Sequence, residues 1–270
     1  MGAPGGRPSR SGASGGPVPR TLTVVAVLLT AGSAATDVAC FTRLGSVFAS
    51  VMTSNIVFLG LSAAQHSGML AERASIGLAA YVTGVAAASR LARTGQRAGG
   101  PDGPGGSHGS GNPGRTGARP WSAWIAATLI SETLLLAVFT IGWESTGARP
   151  AGGAQLFLLA LAALAMGMQS AVVAVMGIAG ISTTYLTGTL TTLIDSLASP
   201  RSRQGTNGRR VATLCALAAG SGLSGLLLAT VPGAVPAVPL GMLAGAIGAG
   251  LVWLRPRGDP AHEHETRHEQ

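Results

Sequence analysis

The sequence predicts an all-α fold: a polytopic transmembrane helical bundle with an internal, inverted repeat, six full crossings and two broken or re-entrant segments. Eight full crossings are the alternative. Three observations lead there. The 270-residue chain is 47% hydrophobic and 10% charged with a mean hydropathy of +0.42, whereas a soluble globule is about a quarter charged. Apolar runs follow one another along it, most near the roughly 20 residues that a helix needs to cross the hydrocarbon core. A polar pattern also occurs twice. The stretch from Ser33 to Asn55 matches that from Gly167 to Thr189, with Asp37 over Gln169, Ala39 over Ala171, Gly45 over Gly177 and, after a two-residue gap, Thr53-Ser54-Asn55 over Thr187-Gly188-Thr189.

Residues 1–20 are rich in Gly, Pro, Ser and Arg and bury too little apolar surface to order, so they read as a tail. The run from Thr21 to Phe41 has the charge and small residues of a cleavable presequence. Cleavage near Ala35 would cut a segment that the second copy keeps whole, so it is read as a retained helix. Further runs lie at Val47–Ala64, Ala74–Leu91, Ser122–Trp143, Ala154–Met176, Ile178–Ala198, Val211–Val231 and Val238–Leu254. The first repeat comprises 21–93 and 121–144, interrupted by a Gly/Pro/Ser-rich flexible loop at 94–120. The second is 154–254, and 255–270 form a polar tail.

Every basic side chain apart from histidine is an arginine, and the net charge is +8. If all eight runs cross, the loop holding Arg90, Arg93, Arg97, Arg115 and Arg119 falls outside, against the rule that cytoplasmic loops carry the positive charge. If the second and sixth runs enter and leave on one side, every arginine but Arg43, Arg73 and Arg149 lies inside, with both termini. Three crossings per repeat then invert the second copy relative to the first, a plan found in secondary transporters. Arginines in tails and loops are orientation signals and headgroup contacts; with 4% aromatic residues, nothing points to a nucleic-acid partner.

The two motifs resemble those of the YoaK-like family of bacterial polytopic membrane proteins, catalogued as domain of unknown function 1275. The resemblance rests on Asp37 through Gly45, Phe48 to Met52-Thr53-Ser54-Asn55, Gly167-Met168-Gln169, and Thr183-Thr184 to Thr187-Gly188-Thr189-Leu190. Ser54 and Ser170 depart from the family's usual Gly and Asn. Membership implies a six-helix protein of the bacterial inner membrane and names no substrate.

The residue types suggest chemistry. Asp37 and Glu132 are acids inside apolar runs, where a charge costs about 2.5–3.5 kcal/mol to insert, so each is a candidate proton or cation carrier. Asp37 also reads as an interfacial acid paired with Arg43. Thr53, Ser54, Asn55, Thr187, Gly188 and Thr189, with Gln169, supply hydroxyls, amides and freed backbone for a solute or ion pathway; packing between helices uses the same residues. Gly220, Gly222, Gly225, Gly241, Gly245 and Gly248 read as a packing or homo-oligomer seam. Trp121, Trp124, Trp143 and Trp253 read as interface anchors, Cys40 and Cys215 as buried small hydrophobes, and Asp195 as a solvated helix end. The His262–His268 tail lacks a closed metal-ligand set, and no cofactor or metal is expected. No nucleophile-elbow, phosphate-loop or zinc motif stands in the chain, so the expectation is a transporter or channel rather than an enzyme, with a membrane scaffold as the alternative.

Overall fold

The computed structural model describes residues 20–98, 123–175, 186–198 and 204–254. Both tails, most of the 94–120 loop, Trp121, Arg201, Arg203 and the 176–185 part of the second motif, with Gly177, Thr183 and Thr184, lie outside the described residues. Those described form eight α-helices: α1 (Arg20–Arg43), α2 (Met52–Ala64), α3 (Gly68–Ala98), α4 (Ala123–Ser145), α5 (Gly152–Val175), α6 (Leu186–Ala198), α7 (Gln204–Thr230) and α8 (Ala237–Leu254). A 3-10 turn at Pro232–Ala234 joins the last two.

Six of these, α1, α3, α4, α5, α7 and α8, are long and apolar enough to cross a membrane. The 13 residues of α2 reach only about 20 Å against a hydrocarbon core of about 30 Å. Large apolar side chains cover the outside of the bundle, among them Val57 (65% exposed), Ile141 (67%) and Leu226 (60%). Water would not tolerate so broad an apolar surface, and acyl chains would. The protein is a multi-pass membrane protein.

Several helix ends follow from local sequence. After α1, Gly45 takes φ +107° and Ser46 N–H reaches back to the Phe41 carbonyl at 3.2 Å, the six-to-one closure of a Schellman cap. Gly147, at φ +59°, ends α4 in the same way, with Ala148 N–H on the Trp143 carbonyl at 3.0 Å. Gly45 is fixed twice over, because the Arg73 side chain lies where its Cβ would stand. α3 outruns the sequence expectation at both ends. It runs helically through Thr94 to Ala98, since Ala, Arg and Gln carry a helix well and proline-rich sequence begins only later.

Packing exchanges the two halves of the chain. α1 packs chiefly on α7 and α8, whereas α5 packs chiefly on α3 and α4; α2 lies along α3 and α6 along α7. The corresponding crossings also share a device. A side chain at Gly84 would run into the Leu164 carbonyl, one at Gly167 into the Tyr81 carbonyl, and one at Gly220 into the Ala31 carbonyl. Backbones touch there because the residues are small. Ser224 adds a 2.9 Å hydrogen bond from its hydroxyl to the Ala35 carbonyl.

Two expectations are corrected. Trp143 is fully buried and donates its indole N–H to the Pro232 carbonyl at 2.9 Å, and Trp124 is only 7% exposed, so both pack inside rather than anchor the bundle at an interface. Cys215 is exposed on α7, whereas Cys40 is buried as expected. Of the glycines read as a packing or homo-oligomer seam, Gly220 and Gly245 meet neighbouring helices, and Gly222, Gly225, Gly241 and Gly248 face open space within the single chain. Trp253 stands in the last turn of α8 without a described side chain, and Asp195 is exposed.

Candidate functional site

The polar residues singled out in the sequence fall into separate clusters. The first surrounds Asp37, which is 8% exposed and stands six residues, or about 9 Å, before the end of α1. Its Oδ1 accepts N–H bonds from Ala49 and Ser50, both at 2.8 Å, and its Oδ2 accepts the Ser50 hydroxyl. Asn55, fully buried, completes the arrangement: it donates from Nδ2 to the Phe48 carbonyl at 2.7 Å and accepts the Phe48 N–H on Oδ1 at 3.0 Å. Asp37 is thus held by backbone amides and a serine, not by Arg43.

These bonds locate the break. Between α1 and α2 the chain is non-helical, and a non-helical backbone at membrane depth must find partners inside the protein. Asp37 and Asn55 supply them. A methyl at Gly77 of α3 would stand 3.2 Å from Asn55 Nδ2, so the start of α2 lies beside a residue nine positions, or about 13 Å, into α3. α2 then climbs back to the turn that begins α3. Its first turn presents Thr53, exposed, and Ser54, half-buried, near the positive end of a short helix.

One end of the bundle is tied by Arg73, whose guanidinium donates to Gln155 Oε1 at 2.9 Å while Gln155 Nε2 donates to the Arg43 carbonyl at 2.8 Å. This joins α3, α5 and the end of α1, and Arg149 precedes α5 in the same neighbourhood. The three arginines that charge counting separates from the rest therefore lie at the same end of the bundle.

A second cluster holds Glu132 and Gln169. Glu132 of α4 is fully buried, and Gln169 of α5 is 6% exposed. Gln169 Nε2 donates to Glu132 Oε1 at 2.7 Å, while Glu132 Oε2 has no hydrogen-bond partner among the described residues. Gln169, the repeat counterpart of Asp37, thus keeps a polar bond but directs it to another helix. Beside this pair, a groove of about 670 Å³ runs between α3 and α4 and is floored by Met168 of α5. Ala87, Arg90 and Leu91 form one wall, and Ser131 and Leu135 stand on the other.

In the second motif, Gly188 is exposed and Thr189 is buried and bonded, both in the first turn of α6; Thr187 is helical there. The two acids, each read in the sequence as a candidate proton or cation carrier, belong to different hydrogen-bonded clusters. Ser50, Phe48 and Gln155 were not among the candidate site residues read from the sequence, although the first two lie in the first motif. Their short distance along the chain from Asp37 and Asn55 signalled these two, and nothing signalled Gln155. Among the described residues no three His, Cys, Asp or Glu side chains gather as metal ligands.

Residues 25–252 match the model of a family described as a protein of unknown function, DUF1275. With most of its length matched, the chain belongs to that family. No curated protein and no solved structure matches it.

Proposed function

From membership in a family whose function is open, we propose that the protein is a transporter or channel for a small solute or ion, and not an enzyme. It acts across the bacterial inner membrane with both termini in the cytoplasm. The observation that carries the reading is the short helix α2, which starts at depth beside Asp37 and Gly77 and returns to the end from which the chain entered. Interrupted helices cost backbone hydrogen bonds, and membrane proteins use them where a solute must meet main-chain groups or a helix end. The exchanged packing of α1–α4 with α5–α8 supports an inverted duplication, and the placement of Arg43, Arg73 and Arg149 at one end supports an outward-facing assignment for that end.

One observation favours a scaffold instead. Both Asp37 oxygens and the Asn55 side chain are engaged in holding the break together. A substrate there would meet Thr53 and Ser54 rather than the carboxylate.

Cysteine accessibility separates the two readings. In a variant with Cys40→Ala and Cys215→Ala, single cysteines at Ser54, Gly188 and Ala64 are probed in intact cells and inverted vesicles with a membrane-impermeant thiol reagent. Transport expects Ser54→Cys and Ala64→Cys to react from outside and Gly188→Cys to react from inside. Unreactive cysteines at 54 and 188 in a folded protein would sink the transport reading and leave the scaffold.

A further inference from the structure

We propose that Glu132 is a proton-binding site, its Oε2 carrying an exchangeable proton that is reached through the groove between α3 and α4. This deepens the transport reading by naming the ion, and rests on it for movement across the membrane; binding is tested apart from transport.

The argument begins with a mismatch between the two ends of one carboxyl group. Oε1 accepts the Gln169 amide, whereas Oε2 is buried with no described partner. Gln169 is neutral, so it orients the group without offsetting its charge. An unpaired charge buried in apolar surroundings is far costlier than a buried neutral polar group. A proton on Oε2 removes the charge and leaves the Gln169 bond in place. The bound O–H then has no acceptor, which leaves it ready to pass its proton to water or solute arriving beside it.

Among the described residues, no cationic side chain on the helices packed against α4 is bonded to Glu132. Neither α5 nor α8, both packed on α4, contains an Asp, Glu, Arg or His. On α3, Glu72 and Arg73 lie near the opposite end, the Tyr81 carbonyl faces Gly167, and Arg90 stands in the groove wall with Arg93 one turn beyond. α4 itself carries only Glu144 besides, twelve positions away. Access comes from the groove: Ser131 and Leu135, which flank Glu132, and Met168, which precedes Gln169, all line it. The space that these residues line is about 670 Å³, ample for a small molecule.

The hydrophobic reagent N,N′-dicyclohexylcarbodiimide tests this on the full chain in its own membranes. The carboxylic acid adds across one C=N bond of the reagent, giving its proton to nitrogen while its oxygen bonds carbon; rearrangement leaves a stable N-acylurea. A carboxylate has no proton to give and stays unlabelled. Peptide mass spectrometry should find Glu132 modified and Asp37 unmodified, with labelling falling as pH rises and unaffected by sodium. Leu135→Trp, filling the groove, should slow labelling of an otherwise intact protein, and Glu132→Gln should abolish it. Absence of label at Glu132 in the folded wild type, protection by sodium, or equal labelling of Asp37 would overturn the proposal. Since reactivity of cysteines at 54 and 188 is read separately, either idea fails without taking the other with it.

Discussion

Asp37 and Glu132 are both acids placed inside apolar helices, yet their surroundings divide them. Asp37 is surrounded by donors: two amides and a hydroxyl occupy its oxygens, and in return it holds the chain between α1 and α2. Glu132 has one amide from Gln169 and a bare oxygen. Burial alone therefore does not separate a structural acid from a chemical one; the count of partners does. An acid with both oxygens bonded stabilises what it touches, and an acid left short is costly to the fold, so it calls for a purpose beyond packing.

Removing each acid is the sharpest way to break this comparison. Asp37→Ala strands two buried amides at about 1–3 kcal/mol each and should leave little folded protein in mild detergent. Glu132→Leu removes the unsatisfied oxygen and strands only the one Gln169 amide, so its loss of thermal stability should be clearly smaller than that of Asp37→Ala. Gel filtration after stepped heating reads both. If Glu132→Leu proves as harmful as Asp37→Ala, the division fails.

The next effect compares the halves. Gly84→Ala and Gly220→Ala each drive a methyl into a carbonyl of a facing helix, and overpacking costs about 1–3 kcal/mol. Similar losses in melting temperature at both positions would sharpen the equivalence of the crossings α3 on α5 and α1 on α7. Gly222→Ala, on open surface, should change nothing measurable in the same assay; a large loss there would point to an oligomer seam.

The smallest effect concerns the tie at one end. Gln155→Leu removes a pair of hydrogen bonds linking α1, α3 and α5 and should cost about 1–2 kcal/mol, read as a modest fall in the same melting temperature. Trp143→Phe keeps the ring but loses the bond to Pro232, and should cost about 1 kcal/mol.

Much of this was legible in the chain. The eight apolar runs included all six spans, since a helix satisfies its own backbone and needs no particular neighbour to do so. The arginines picked out α2 as a segment that does not cross, and the acids marked themselves by their cost in an apolar run. The start of α2 was not legible. Between Ser46 and Leu59 there is no Pro or Gly to mark a break, and the run reads as continuous helix from Val47.

What the sequence by itself determined is therefore the membrane as solvent, the helices that cross it, and the presence of buried polar groups. What only the tertiary structure decided is which groups those side chains meet. Asp37 finds its partners in a loop 12 to 13 residues ahead, Glu132 finds Gln169 37 residues away, and Gln155 reaches Arg43 across 112. The reason is physical. Hydropathy is a property of each residue and sums along a chain, but a hydrogen bond depends on two atoms being brought within about 3 Å, and only the packing of helices fixes that.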